Sequence, residues 1–521
     1  MELTQALRRA ALLEGKKCAL EFSDEHFTWR EFQERVARLA AALQTLGLEP
    51  GDRVAILAAN SGRYVELFFA PLWAGGFFVP INTRWSVPEI VYALNDSAPR
   101  ILVVDHNHAA MVPDLLSQTP SVEHVILAEV TDASETDGLL SYEGLIAQSE
   151  PMADAGRGGD DVAAIFYTGG TTGRSKGVML THDNLFFNGL AGLSNLYFHQ
   201  NTVHIHTGPL FHMAAAARIY TTTIAAGKHV VLEGFDAQKV LETIEAKRIT
   251  HMVLAPTMLN MLVNHPTFHD FDLSTLELLS YGASPMAEAL IKKIIELVPQ
   301  AKIVQSYGMT ELSPVATSLS PECHQPDHPL FSKVKSAGRA VFYCDVRIVD
   351  DQDQDVPLGD IGEIVVRGPN VMKGYWNKPD LTEEALRGGY MHTGDAGYMD
   401  EDGFVFLVDR VKDMIISGGE NVFSAEVEDV LMKHPAILEC AVIGIPSEKW
   451  GESVHAIVRL KDGQQAEERE LTDHCRAHLG GYKIPRSIDF WADPLPQSGA
   501  GKILKSELRK PFWDTKDRNI S

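Results

Sequence analysis

The run Tyr167-Thr168-Gly169-Gly170-Thr171-Thr172-Gly173-Arg174-Ser175-Lys176-Gly177 concentrates glycines, hydroxyls and one lysine directly behind an apolar stretch. Gly169, Gly170 and Gly173 let backbone N–H groups approach an anion closely, Thr168, Thr171, Thr172 and Ser175 add hydroxyl donors, and Lys176 adds a charge. That combination suits a polyphosphate. A P-loop would need a glycine five positions before the Gly of a Gly-Lys-Ser/Thr triplet. Here Lys176 follows Ser175, and the Gly501-Lys502 pair has Pro496 where the first glycine should stand. A flexible surface loop is the competing reading of the run by itself.

The elements around it must position these groups. Val162-Ala163-Ala164-Ile165-Phe166 reads as a buried strand, so the loop leaves the end of a sheet. Upstream, Thr28 and Glu31 form a capping box, and Phe32, Val36, Leu39, Leu43 and Leu46 recur at helical spacing until Gly47. Arg53–Leu57 and Ile101–Val104 read as strands, with a helix over Pro88–Leu94 between them. The acidic, small-residue stretch Thr131–Asp161 reads as a surface connection. Strands at Val230–Leu232, Met252–Leu254 and Ile303–Val304 alternate with helices at Ala237–Ala246 and Met286–Leu297, which is the pattern of layered α/β architecture. After Glu311 the texture changes to loops and short strands such as Val346–Val349 and Gly362–Val366, a small β-rich part. The charged run Asp409–Asp413 marks a boundary at Lys412, giving domains 1–411 and 412–521.

The 521 residues imply more than one core, and a formal net charge of −24 argues against nucleic acid or an anionic membrane as the partner. Five dispersed cysteines without a Cys-x-x-Cys pair read as reduced and mostly buried, with neither zinc nor a redox centre. The N-terminus lacks the apolar run of a secretory signal, so a cytoplasmic location is expected. The charge-poor stretches Leu67–Thr83 and Asn184–Ala217 are too interrupted by Pro, Gly, Asn and His to span a bilayer and read as buried elements.

Four further motifs stand in order with the loop: Tyr307-Gly308-Met309-Thr310-Glu311, His392-Thr393-Gly394-Asp395, Asp409–Asp413 and Gly501-Lys502. With them the chain resembles, over nearly its whole length, the adenylate-forming enzymes: acyl-CoA synthetases, luciferases and peptide-synthetase adenylation domains. The resemblance implies a large N-terminal α/β domain and a small mobile α+β C-terminal domain. It also implies a two-step reaction in which a carboxylate attacks the α-phosphorus of ATP and a thiol then attacks the acyl-adenylate.

By that resemblance the Thr168–Lys176 loop grips the β- and γ-phosphates, Thr310 hydrogen-bonds the α-phosphate, Glu311 holds Mg²⁺, and Tyr307, Asp395 and Arg410 complete the ATP site. Lys502 bridges the attacking carboxylate and the α-phosphate. Lys412 is the hinge. His212 closes the thiol channel, Gly418, Gly419 and Trp450 line the path of CoA, and Met213, Tyr281, Gly282, Ala283, Gly308 and Met309 line an apolar acyl pocket. ATP, Mg²⁺, CoA and a fatty or aryl acid are the expected ligands, and a homodimer is left open. The chain departs from the family's usual loop at Gly169, commonly Ser, and at Ser175, commonly Pro. A carrier-protein-loading adenylating enzyme and a non-catalytic nucleotide sensor are the alternatives, with a luciferase-like oxidative role a more distant one.

Overall fold

The structure is a computed structural model that describes residues 1–128, 139–168, 175–282, 284, 286–410, 413–417, 420–447, 449–497 and 503–513, excluding the side chains at 409, 410, 416, 420 and 421. The chain divides into two compact units, Met1–Val346 with Val366–Met391, and Arg347–Val365 with His392–Ser521.

In the first unit the helix Trp29–Thr45 starts where the sequence places it. Thr28 caps it through the reciprocal bonds with Glu31, and Phe32, Val36, Leu39 and Leu43 form its buried stripe. The short apolar runs become strands because sheets covered on both faces need them. Arg53–Leu57, Phe77–Pro80, Ile101–Val104, His124–Leu127 and Val162–Thr168 are neighbours in one eight-stranded sheet, joined in parallel. Val203–His206, Lys228–Val231, His251–Leu254, Leu278–Gly282 and Lys302–Tyr307 form the parallel centre of a nine-stranded sheet.

On one face of that sheet the helices Ala237–Lys247, Pro256–Val263 and Glu288–Leu297 enclose an apolar core that includes Leu279 and Tyr281. Successive strand residues point to opposite faces. Leu278 and Val304 accordingly belong to a different cluster, with Leu196 and Phe198 beside the helix His182–Asn195.

Two local readings are corrected. Val162–Thr168 turns back antiparallel into Lys176–Thr181, making a hairpin where the sequence showed only one strand. The stretch read as a surface connection contains the strand Leu140–Ser141 and the helix Tyr142–Gln148; its residues 131–138 lie outside the described ones. The charge-poor segment that begins at Asn184 forms buried elements, and among the described residues no helix is long and apolar enough to cross a membrane.

The second unit is α+β. Asp345–Val349, Gly362–Arg367, Met391–Met399 and Val405–Arg410 make a four-stranded sheet whose body lies in this unit. The long hairpin of Ile437–Ser447 and Gly451–Leu460 carries further strands at its edges. Helices Ser424–Met432 and Glu468–Arg476 supply Val427, Leu431, Leu471 and Cys475 to its core.

Candidate active site

Ligands of α/β sheets collect outside the carboxyl ends of parallel strands, and two motif-bearing loops of the first unit leave such ends. Thr168 pairs with Lys176 across the hairpin, so the ends of the glycine-rich loop are held together; Gly169, Gly170, Thr171, Thr172 and Gly173 themselves lie outside the described residues. The second loop leaves the strand Lys302–Tyr307 and turns at once into the short 3-10 helix Thr310–Leu312.

That turn is tightly built. Gly308 has φ of 155°, and a Cβ there would stand 1.9 Å from the Pro314 carbonyl oxygen, so only glycine fits. Asn370, fully buried, donates from Nδ2 to the carbonyls of Leu312 and Val315 at 2.9 and 3.0 Å, and its own carbonyl accepts from the Ser313 hydroxyl at 2.8 Å. A residue almost 60 positions downstream thus clamps the turn that presents Thr310 and Glu311.

The two loops are joined by Tyr375. Its strand Gly374–Tyr375 pairs with Met179 and Val178 of the hairpin. Its hydroxyl donates to Glu311 Oε1 at 2.9 Å, and Lys176 Nζ stands 4.7 Å from its ring centroid. Burial first, and then the Glu311 carboxylate, push the Tyr375 phenol well above its usual range, so it stays a donor. Glu311 is buried. A lysine, a phenol and a buried carboxylate therefore stand in contact, oriented by separate elements.

The other expected residues are placed as follows. His212 stands at the N-cap position of the helix Met213–Ala225 with its ring against Phe211, and Met213 is buried at the helix start. Asn60, also buried, holds the preceding loop by bonds to Gly208 and Leu210. Gly282 ends its strand where a Cβ would meet the Ser306 carbonyl oxygen at 2.6 Å. Tyr307 is buried, while Met309 is part-buried. Tyr281 faces the apolar core on the far side of the sheet, its hydroxyl bonded to His324 at 3.0 Å, and so does not share a face with Ser280 and Ser306. Ala283 is outside the described residues.

In the second unit Asp395 sits in the strand Met391–Met399 opposite Arg410, whose side chain is not described. Glu363 shapes that turn by accepting from the Gly394 amide at 2.9 Å and holding His392 Nδ1 at 2.8 Å. Two cations stack on Trp450, Lys449 Nζ and Arg486 Cζ each 4.6 Å from its ring centroid. Lys412, Gly418, Gly419 and Lys502 lie outside the described residues.

Tyr375, Asn370, Asn60 and Glu363 escaped the sequence reading. None carries a spacing signature, because each acts on a partner distant in the chain.

Comparison with known proteins gives the family. Residues 7–376 match the family of AMP-binding enzymes, and residues 426–502 match the AMP-binding enzyme C-terminal domain. Among curated proteins the chain is 40% identical to a feruloyl-CoA synthase of an Amycolatopsis species, over 97% of this chain and 98% of the relative. It is 34% identical to the long-chain-fatty-acid–CoA ligase FadD13 of Mycobacterium tuberculosis, over 95% and 94%. Among solved structures, ATP-bound MatB from Rhodopseudomonas palustris superposes with a TM-score of 0.87 at 31% identity, covering 99% of this chain and all of that one. The chain belongs to the adenylate-forming acyl-CoA synthetase superfamily of AMP-binding enzymes. Its chemistry is the ATP-dependent acid–CoA ligation of that superfamily.

Proposed function

We propose that the protein joins an aryl carboxylic acid to CoA: acid and ATP give acyl-AMP and pyrophosphate, and acyl-AMP and CoA give acyl-CoA and AMP. The contact of Lys176, Tyr375 and Glu311 is the observation that carries the catalytic part of this reading. The choice of an aryl over a fatty acid is supported by the higher identity to the feruloyl-CoA synthase.

In the first half-reaction an oxygen of the acid attacks the α-phosphorus and pyrophosphate departs. Negative charge accumulates between the reacting groups, so fixed cations and donors supply most of the acceleration. The Thr168–Lys176 loop holds the departing phosphates, Thr310 donates to the α-phosphate, and Lys502 bridges the nucleophile and the phosphate. Asp395 accepts from the ribose hydroxyls. Glu311 fits Mg²⁺, because it is a hard oxygen donor kept in place by the Tyr375 hydroxyl. When bound, the ion neutralises phosphate charge.

In the second half-reaction the CoA sulfur, losing its proton, attacks the acyl carbonyl and AMP leaves. Gly418 and Gly419 line the path of the thiol, and the cations beside Trp450 suit phosphates of CoA. Lys412 at the 411/412 boundary is the hinge by which the C-terminal domain serves each step in turn.

The test is to mix protein, ATP, Mg²⁺ and a panel of aryl and fatty acids with or without CoA, following pyrophosphate and thioester. Thioester from aryl acids supports the reading, and pyrophosphate without thioester points to carrier loading. Absence of pyrophosphate with every acid overturns catalysis.

A further inference from the structure

Next to the apolar cluster around Val304, the face of the nine-stranded sheet that carries Ser280 and Ser306 is bordered by buried polar groups. Arg218, in the middle of the helix Met213–Ala225, is only 4% exposed. Its Nε is buried without a partner, and no carboxylate among the described residues pairs with its guanidinium. Burial lowers its pKa to about 10, with the Tyr343 phenol the opposing influence. A buried cation without a counter-group is unfavourable in a fold that gains nothing from it.

Other unpaired polar atoms gather around the same space. Asn195 accepts from Ser194 through Oδ1 and leaves Nδ2 buried and unused. Asn188, 1% exposed, donates through Nδ2 to the Tyr343 hydroxyl at 3.3 Å and leaves Oδ1 buried and unused. Arg218, Asn188 and Asn195, with Leu196, Ser306 and Val315, border a small cavity of about 10 Å³, room for one water-sized group. The cavity lies along the strand that leads into the site, because Ser306 directly precedes Tyr307 and Gly308. His212 and Arg218 begin and continue one helix, so six residues of rise, about 9 Å, separate them along its axis. That is the length of an arylpropenoic acid from its carboxylate to the far side of its ring.

We infer that Arg218, Asn195 and Asn188 form a buried subsite for a hydroxyl oxygen at the end of the acid remote from the reacting carboxylate. The unused atoms are two donors, Arg218 Nε–H and Asn195 Nδ2–H, and one acceptor, Asn188 Oδ1. A hydroxyl offers the reverse, two lone pairs and one hydrogen. A second carboxylate would satisfy the arginine but face the Asn188 oxygen without a hydrogen to give. The inference rests on the acid–CoA ligase reading and narrows its substrate to ring-hydroxylated aryl acids.

The experiment compares kcat/KM for 4-hydroxycinnamic, cinnamic and 4-carboxycinnamic acids in the full-length protein and its Arg218→Met and Asn195→Ala variants. Sites that bond a substrate hydroxyl discriminate strongly against its absence. The unmodified protein should prefer the hydroxylated acid over cinnamic acid by about 10²-fold or more, and both variants should lower that ratio, Arg218→Met by about tenfold or more. The ratio is internal to each variant, and Asn195→Ala keeps the test open if Arg218→Met fails to fold. An equal ratio in all three proteins overturns the subsite while leaving the ligase intact. Preference for the carboxylated acid overturns the hydroxyl assignment. Failure to turn over any acid would instead count against the ligase reading, and the subsite would fall with it.

Discussion

At the scale of single residues, Tyr375 is the most exposed to test. Tyr375→Phe keeps the ring under Lys176 and removes the donor to Glu311. Partners that orient a metal-binding group typically matter by about 10- to 100-fold, so kcat/KM for MgATP should fall by that factor with the KM for the acid little changed. A loss confined to the acid would show that Tyr375 does not act through Glu311. Lys502→Ala should reduce adenylate formation by about 10²- to 10³-fold yet leave thioester formation from supplied acyl-adenylate largely intact. Equal losses in both half-reactions would remove Lys502 from its proposed role. These two residues also mark what can be read from a sequence. Lys502 sits in a motif whose order relative to the others gives it away. Tyr375 stands between a glycine and a tryptophan with nothing in its spacing to single it out. Arg218 is hidden for the opposite reason: a charge in a helix normally faces water, and the charge-poor stretch of the sequence ends at Ala217, one residue short of it.

At the scale of elements, the turn from Tyr307 to Val315 behaves as one part. Gly308→Ala places a methyl into the Pro314 carbonyl, and the backbone must move to relieve it. ATP binding should weaken more than acid binding, as titration of each ligand by calorimetry would measure. Asn370→Leu removes the Nδ2 bonds and leaves the carbonyls of Leu312 and Val315 buried without that donor. Leaving buried groups unsatisfied costs about 1–3 kcal/mol each, so chemical denaturation should report destabilisation of roughly 2–6 kcal/mol. A loss under about 1 kcal/mol would mean that water or another donor replaces the amide. Much of the fold was legible at this scale. The helix Trp29–Thr45 announced its start through Thr28 and Glu31, and the strands Arg53–Leu57 and Ile101–Val104 fell where the apolar runs do. The partner strand Lys176–Thr181 leaves a weak trace because it is buried in adjacent pairs, at Gly177-Val178 and Leu180-Thr181, which breaks the alternation of a half-buried strand. Register between distant segments, such as Tyr375 against Val178, is a property of the folded sheet and leaves no local trace.

At the scale of the whole molecule, an unusual number of histidines are buried and held neutral. Desolvation lowers the pKa of His229 to about 3 and those of His182, His251 and His324 to about 4, and it holds His204 and His206 well below the usual value. In the unfolded chain these rings titrate near 6.5, so below that pH the unfolded state binds more protons than the folded one. Stability is therefore full above about pH 6.5 and declines as pH falls toward the folded values near 4. Thermal unfolding should shift downward between pH 7.5 and pH 5 in constant salt; a flat profile would mean that these rings are hydrated. The clamp described for the Tyr307 turn has a consequence of another kind. Glu311 is presented by a turn that Asn370 holds and is oriented by Tyr375, so the ATP site cannot be finished until the ribosome has delivered the segment around residue 370. A nascent chain halted at about residue 350 would already contain every strand of the nine-stranded sheet, yet should be unable to retain nucleotide. The phosphate end of the site would then be completed abruptly during synthesis, with the emergence of some 25 residues that carry none of the recognised motifs, before Asp395 is delivered at the proposed ribose end.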